Sequence, residues 1–199
     1  ATFYRPEQVA GVAFVRPLVE RAIGRLDVVT AASVTVRRAV AEMFDREATV
    51  IADGVDTTRF SPQAPGDGPP GVVILSRRAD RAGVRFGLGV LKAVDPALIG
   101  PITVLGTSDA HWRTAAAIPK LMRGRVNAVA DWGADTRHET FRAGGILLVA
   151  TPEDLTGSAA IEAMACGMVV IAPRCAEADD LVGDSGGLLL TPFSRDAWA

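Results

Sequence analysis

The sequence predicts an α/β protein built on a doubly wound parallel sheet, with a smaller α/β segment ahead of it. Three observations carry that prediction. Short apolar runs rich in β-branched residues recur through the second part of the chain at intervals of roughly 20 to 30 residues. Stretches with helical spacing lie between them, and a segment dense in proline and glycine separates this part from the first. A strand covered on both faces reads as an unbroken apolar run, and a parallel neighbour needs a crossover, usually a helix, to bring the chain back to the same edge.

The chain begins with an apolar helical stripe in EQVAGVAFVRPLVERAIG, then a strand in LDVVTA. A helix comes next in SVTVRRAVAEMF, with Ser33 as its N-cap, and a strand in ATVIA. Asp53-Gly54 breaks this pattern. Residues 61–71, SPQAPGDGPPG, hold four prolines and three glycines, a composition that resists both helix and strand. The expected organisation is therefore a first portion, 1–60, a linker, 61–71, and a second domain, 72–199.

In the second domain the strand candidates are GVVILS, ITVLG, RVNAVA, GILLVA, MVVIA and GLLL. Ligands of doubly wound sheets sit at the carboxyl ends of the strands, so chemistry is sought in the loops after Leu75, Leu105, Val129, Val149 and Ile171. The run GVRFGLG, 83–89, is rich in glycine but lacks the order and the strand-to-helix position of a dinucleotide fingerprint.

Composition narrows the function classes. The 199 residues are 49% hydrophobic and 22% charged, enough for one substantial core and part of another. The net charge is −2 with no basic run, so nucleic acid is not an expected partner. Arginine far outnumbers lysine, which is read as a mark of a GC-rich genome and carries no functional weight; a bacterial source is expected. Cys166 and Cys175 are too few and too far apart for a zinc site or a disulfide framework; they are read as core packing in a reducing, cytoplasmic setting. No apolar stretch is long enough for a spanning helix and no signal peptide is evident, which leaves peripheral membrane association open. The start at Ala1 and the stop at RDAWA, in what reads as an opening helix, lead us to expect part of a longer polypeptide, with the second domain incomplete at its C-terminus.

The segment PEDLTGSAAIEAMACG, 152–167, carries the chemistry. It comes after the GILLVA strand, and Gly157-Ser158 opens a helix that stops at Gly167. The first turn of such a helix offers unpaired backbone N–H groups and a positive dipole end, both suited to a diphosphate. Asp154 precedes the turn and Glu162 lies within the helix. A carboxylate accepts two hydroxyl hydrogens, so each acid matches the diol of one sugar in a nucleoside diphosphate sugar. From the residues alone, helix capping by Asp154 and a solvated helix face at Glu162 remain the alternative reading, since two acids eight apart are common by chance. His111 and His138 have no partner at triad or metal spacing and are read as solvated or capping residues; no metal is expected.

The segment also resembles the family 4 retaining glycosyltransferases, which have the GT-B fold. In that family an acid, seven residues and a Glu precede Ala-Met-Ala-x-Gly and an apolar strand; here Asp154 and Glu162 precede AMACG and MVVIA. IADGVDTTRFSP, 51–62, is similar to the family's interdomain signature, with Asp53 where Asn is usual. RVNAVADW followed by HETFRAGGILLVATPED keeps the family's spacing from base-binding loop to donor motif. The resemblance covers roughly 27 to 190 of the chain.

It implies a Rossmann-like C-terminal domain at 72–199 that binds a nucleotide diphosphate sugar as donor substrate, with no further cofactor. The tail of an N-terminal, acceptor-binding domain would occupy 1–60. By resemblance Glu162 takes the ribose hydroxyls and Asp154 the donor hexose, while the amides of Gly157, Ser158 and Ala159 receive the diphosphate. Arg77 matches an arginine that stabilises the departing diphosphate, which with Asp154 makes the catalytic pair. The family's lysine falls on Ala82, for which Arg81 is the preferred substitute. Val129, Ala130 and Trp132 form the base-binding loop, and Thr107 or Ser108 are weaker donor contacts.

The implied reaction in the full-length protein is hexosyl transfer, with retention, to a hydroxyl of a glycan, lipid or small-molecule acceptor. The 199-residue chain alone is expected to bind nucleotide weakly and transfer nothing. The rival reading is a non-catalytic nucleotide-sugar-binding or scaffold domain whose phosphate site has decayed, as Ala82 and Ser76 suggest. A nicotinamide-dependent oxidoreductase lacks its fingerprint here, and a nucleotide-sugar epimerase on the same scaffold fits the AMACG helix less well.

Overall fold

A computed structural model describes residues 16–64, 66–75, 81–106, 124–131, 133–150, 158–183, 186–191 and 198, without the side chains of 16, 81 and 82. The described residues up to Asp53 form one compact unit and those from Gly54 another.

In the first unit, α1 (Arg16–Gly24) leads to β1 (Thr30–Ala31), α2 (Val34–Phe44) and β2 (Thr49–Val50). The two strands pair in parallel, Thr30 beside Thr49 and Ala31 beside Val50, so this is a small βαβ unit. Ser33 caps α2: its backbone is extended and its Oγ accepts the Val36 amide at 3.2 Å. Asp45 ends the helix in the left-handed region, φ 49°, which aspartate tolerates better than most residues, and its amide donates to the Ala41 carbonyl at 3.0 Å. The strands expected in LDVVTA and ATVIA shrink to two residues each. Beyond Thr49 and Ile51, whose amides donate to Val29 and Ala31, no further strand among the described residues joins the pair, and Leu26, Val28 and Ile51 stay exposed.

The second unit starts ahead of the expected linker, because Phe60 is buried in its core with Val55 packed beside it. The described part of 61–71 has neither helix nor strand. All six predicted runs then form strands: β3 (Val72–Leu75), β4 (Ile102–Leu105), β5 (Val126–Val129), β6 (Ile146–Leu148), β7 (Val169–Pro173) and β8 (Gly187–Leu190). They make one parallel sheet in the order β5-β4-β3-β6-β7-β8. Helices α3 (Arg81–Leu91), α4 (Ala134–Ala143), α5 (Ser158–Ala165) and α6 (Ala176–Val182) lie in the crossovers.

Side chains alternate between the two faces along each strand. Val72 and Ile74 meet Val84, Leu88 and Leu91 of α3, together with Trp198. Val73 and Leu75 point the other way, into a core with Phe141 of α4, Ala159 and Ala163 of α5, and Phe60. Both faces are covered, which is why the strands read as unbroken apolar runs. Each fully buried side chain of this size contributes about 1.5–3 kcal/mol. Gly87 explains part of the glycine-rich 83–89 run. A Cβ there would sit 3.2 Å from Ile74 Cδ1 and 3.3 Å from Leu148 Cδ2, so the missing side chain lets α3 lie close on β3 and β6.

Candidate functional site

The strand order places the reversal of the sheet between β3 and β6: from β3 the chain winds outward to β5, then returns to β6 and winds the other way to β8. A crevice forms at the carboxyl ends of the strands that flank such a reversal. β3 ends at Leu75 and β6 at Leu148, and their crossovers enter α3 and α5. Several expected site residues lie in these connections and outside the described set: Arg77 after β3, Asp154 and Gly157 after β6, and Trp132, Thr107, Ser108 and His111 elsewhere. The side chain of Arg81, at the start of α3, is also outside it.

On the β6 side, Val149 and Ala150 continue buried past the strand, and the Val149 amide donates to Ile171 at 2.9 Å. α5 opens at Ser158, which is exposed, while Ala159 and Ala160 turn into the core. Its far end closes as expected at Gly167, φ 83°: the Gly167 amide donates to Met164 at 2.9 Å and the Met168 amide to Ala163 at 3.0 Å. This double closure pairs the Met164 and Ala163 carbonyls at the helix end and delivers the chain into β7.

Glu162 stands in the middle of α5. It is the buried charged residue among the described ones, with 7% of its surface exposed, so the solvated-face reading does not apply. A buried carboxylate needs a compensating donor, and α4 supplies it. Arg137 Nε donates to Glu162 Oε2 at 2.6 Å and Arg137 Nη2 to Oε1 at 2.8 Å, a two-point pair between side chains that are 13% and 9% exposed. The hydrogen bonds to Glu162 raise the Arg137 pKa above its ordinary value, against the opposing effect of burial. Sequence reasoning missed Arg137. The pair joins two helices across 25 residues, and no local spacing announces it.

The base-loop candidates lie at the end of β5. Val129 is half-buried and its carbonyl accepts the Gly106 amide at 2.8 Å; Ala130 is exposed. Asp131 shapes the entry to α4: its Oδ1 accepts the Gly133 amide at 2.9 Å and its Oδ2 accepts the Thr136 hydroxyl. The loop therefore runs directly into the first turn of α4, where the Arg137 amide donates to Gly133 at 3.0 Å. Among the described residues no three His, Cys, Asp or Glu side chains converge.

The 54–60 stretch of the signature forms a turn held by Asp56. Its Oδ1 accepts the Thr58 amide at 2.9 Å and the Thr58 hydroxyl at 2.6 Å, and its carbonyl accepts the Phe60 amide at 2.8 Å. Arg59 pairs with Asp135 on the first turn of α4 and lies 5.9 Å over the Phe60 ring. His138 is partly buried and packs against Phe60, in place of the solvated or capping role expected. Cys166 is buried and Cys175 half-buried against the same core.

No family model and no curated protein matches the chain. Solved structures do. The sucrose-phosphate synthase of Thermosynechococcus elongatus is 22% identical, with a TM-score of 0.65 over 93% of this chain and 50% of that one. A glycosyltransferase of Rickettsia africae is 17% identical, with a TM-score of 0.65 over 98% of this chain and 56% of that one. The C-terminal domain of a group 1 family glycosyl transferase of Francisella tularensis is 21% identical, with a TM-score of 0.52 over 72% of this chain and 83% of that one. The chain spans about half the length of the first two. No helix among the described residues is long and apolar enough to cross a membrane. The chain thus has the α/β fold of the C-terminal domains of GT-B glycosyltransferases, with glycosyltransferases as its structural neighbours.

Proposed function

We propose that this chain is the donor-binding part of a retaining, family 4 type hexosyltransferase of the bacterial cytoplasm, preceded by the tail of its acceptor domain. The observation that carries this reading is Glu162, a buried carboxylate on the helix that leaves the sheet reversal. A charge held there is costly unless it has work to do or a partner. Each carboxylate oxygen has about two acceptor sites, and Arg137 uses one on each. Among the described residues no other donor takes these oxygens, so one site remains per oxygen, matching the two hydroxyls of a ribose.

On this reading Val129, Ala130 and Trp132 contact the base, and Glu162 the ribose. The amides of Gly157, Ser158 and Ala159, at the positive end of α5, receive the diphosphate with Arg77 and Arg81. Asp154 holds the hexose. These groups lower the barrier by stabilising negative charge on the departing diphosphate, with no resident metal. The acceptor, a glycan, lipid or small-molecule hydroxyl, is bound through the N-terminal domain.

Titration calorimetry with UDP, GDP and their sugars tests this. Binding that is weakened about 10-fold or more in Glu162→Gln, a variant that keeps the shape of the side chain, supports the reading. Absence of binding to every nucleotide instead favours a scaffold domain with a decayed phosphate site.

A further inference from the structure

In the proposed donor site Arg137 neutralises a buried acid, yet its placement is more specific than neutralisation requires. A lysine, or a single-point arginine contact, would balance the charge of Glu162. Here the planar guanidinium takes both oxygens, through Nε at 2.6 Å and Nη2 at 2.8 Å, which fixes the plane of the carboxylate as well as its charge. A fixed plane determines where the remaining acceptor sites point. Arg137 is also rooted in the first turn of α4, immediately after the Asp131 turn of the base-loop segment. The base-loop segment and the Glu162 carboxylate are therefore tied together through one side chain, as neighbouring base and ribose subsites must be.

We propose that Arg137 is a positioning residue that sets the orientation of Glu162 toward a ribose diol, and so determines preference for ribonucleotides over deoxyribonucleotides. The proposal rests on the assignment of Glu162 to the ribose. Buried ion pairs add little net stability and are better explained where they fix a geometry. Hydroxyl recognition by a buried charged acceptor discriminates sharply, because an analogue without the hydroxyl leaves that acceptor short of a partner.

The test compares UDP and GDP with their 2′-deoxy and 3′-deoxy counterparts, using dissociation constants from NMR titrations that remain readable in the millimolar range. Thermal unfolding of each protein is followed in parallel. The unsubstituted chain is expected to prefer the ribonucleotides by about 10-fold or more, the size of a lost hydrogen bond to a charged group. Arg137→Met should bring the ratio within about 3-fold, and Arg137→Lys, which keeps the charge but not the fork, should restore only part of it. In a Glu162→Gln background the Arg137 substitutions should change the ratio no further, since both act through one carboxylate.

A folded Arg137→Met protein that keeps the full ratio overturns the proposal and leaves Arg137 a structural partner only. If Arg137→Met does not fold, Arg137→Lys decides: an unchanged ratio there overturns the proposal equally. An unsubstituted chain that binds nucleotides without any ribose preference, or binds none, overturns the ribose assignment of Glu162 itself. That outcome is distinct from the failure of Arg137.

Discussion

The Phe60 ring stands edge-on to the His138 imidazole, with centroids 5.8 Å apart and planes at 89°. One residue of the segment ahead of the sheet is thereby locked against α4, and Phe60 continues from there into the core beneath β3 and β6. Phe60→Ala should cost about 3–5 kcal/mol of stability by the cavity it leaves. Urea unfolding followed by tryptophan fluorescence and circular dichroism measures this; a loss under about 1 kcal/mol would show that Phe60 is peripheral.

Gly87 sets the distance between α3 and the sheet. Gly87→Leu should destabilise by about 1–3 kcal/mol through overpacking against Ile74 and Leu148. Gly87→Ala should fare better, because relief of the glycine helix penalty, about 1 kcal/mol, offsets the need for Ile74 to shift. Thermal unfolding of the two variants should therefore rank Ala above Leu.

The Asp56 turn should respond to acid. Hydrogen bonds from the Thr58 side chain, and then from its amide, hold the Asp56 carboxyl below the ordinary aspartate range. A carboxyl with a depressed pKa in the folded chain favours the fold above its unfolded pKa, and this contribution disappears as the pH falls through the folded one. The Thr58 amide resonance should titrate at a pH below that of an unfolded aspartate, and Asp56→Asn should abolish that titration.

Both thiols should be slow nucleophiles. Burial pushes the pKa values of Cys166 and Cys175 up, so the thiolate is scarcer at neutral pH than in an unfolded chain. Iodoacetamide labelling read by mass spectrometry should be slow in buffer and fast in urea, with Cys166, 5% exposed, the slower of the two. Rapid labelling of Cys166 in buffer would contradict its burial.

Glu162→Ala should be more damaging than a helix-surface truncation. It removes the carboxylate that takes two hydrogen bonds from the Arg137 guanidinium, and breaking a buried pair from one side costs about 3–5 kcal/mol. Arg137→Met breaks the same pair from the other side, with an apolar chain in place of the cation, and its denaturant midpoint should fall as well. Equal, small shifts for both would mean that water reaches the pair freely.

The six strands of the main sheet were legible because burial on both faces turns each into a compact apolar run. The strands of the first unit were legible only in kind: hydrophobicity announced LDVVTA and ATVIA, but strand length depends on neighbours that sequence does not name. Gly87 looked like a poor helix residue, and only the approach of Ile74 explains it. Glu162 was visible through the AMACG segment, whereas its burial depends on α4 closing over it. The roles of Arg137 and His138 were hidden for the same reason: their partners, Glu162 and Phe60, lie far along the chain, and such pairs leave no periodic trace.

The sheet reversal also has a consequence for how the chain is made. During synthesis β3 can pair with β4, and β4 with β5, as these emerge, but the other edge of β3, from Val72 to Ile74, waits for β6. Until then a central strand is an open edge, able to recruit other chains. Completion of β6 closes that edge and starts the second half of the sheet, to which β7 and β8 are then added. The seam that holds the candidate site is thus also the seam at which an unfinished chain is most exposed to aggregation.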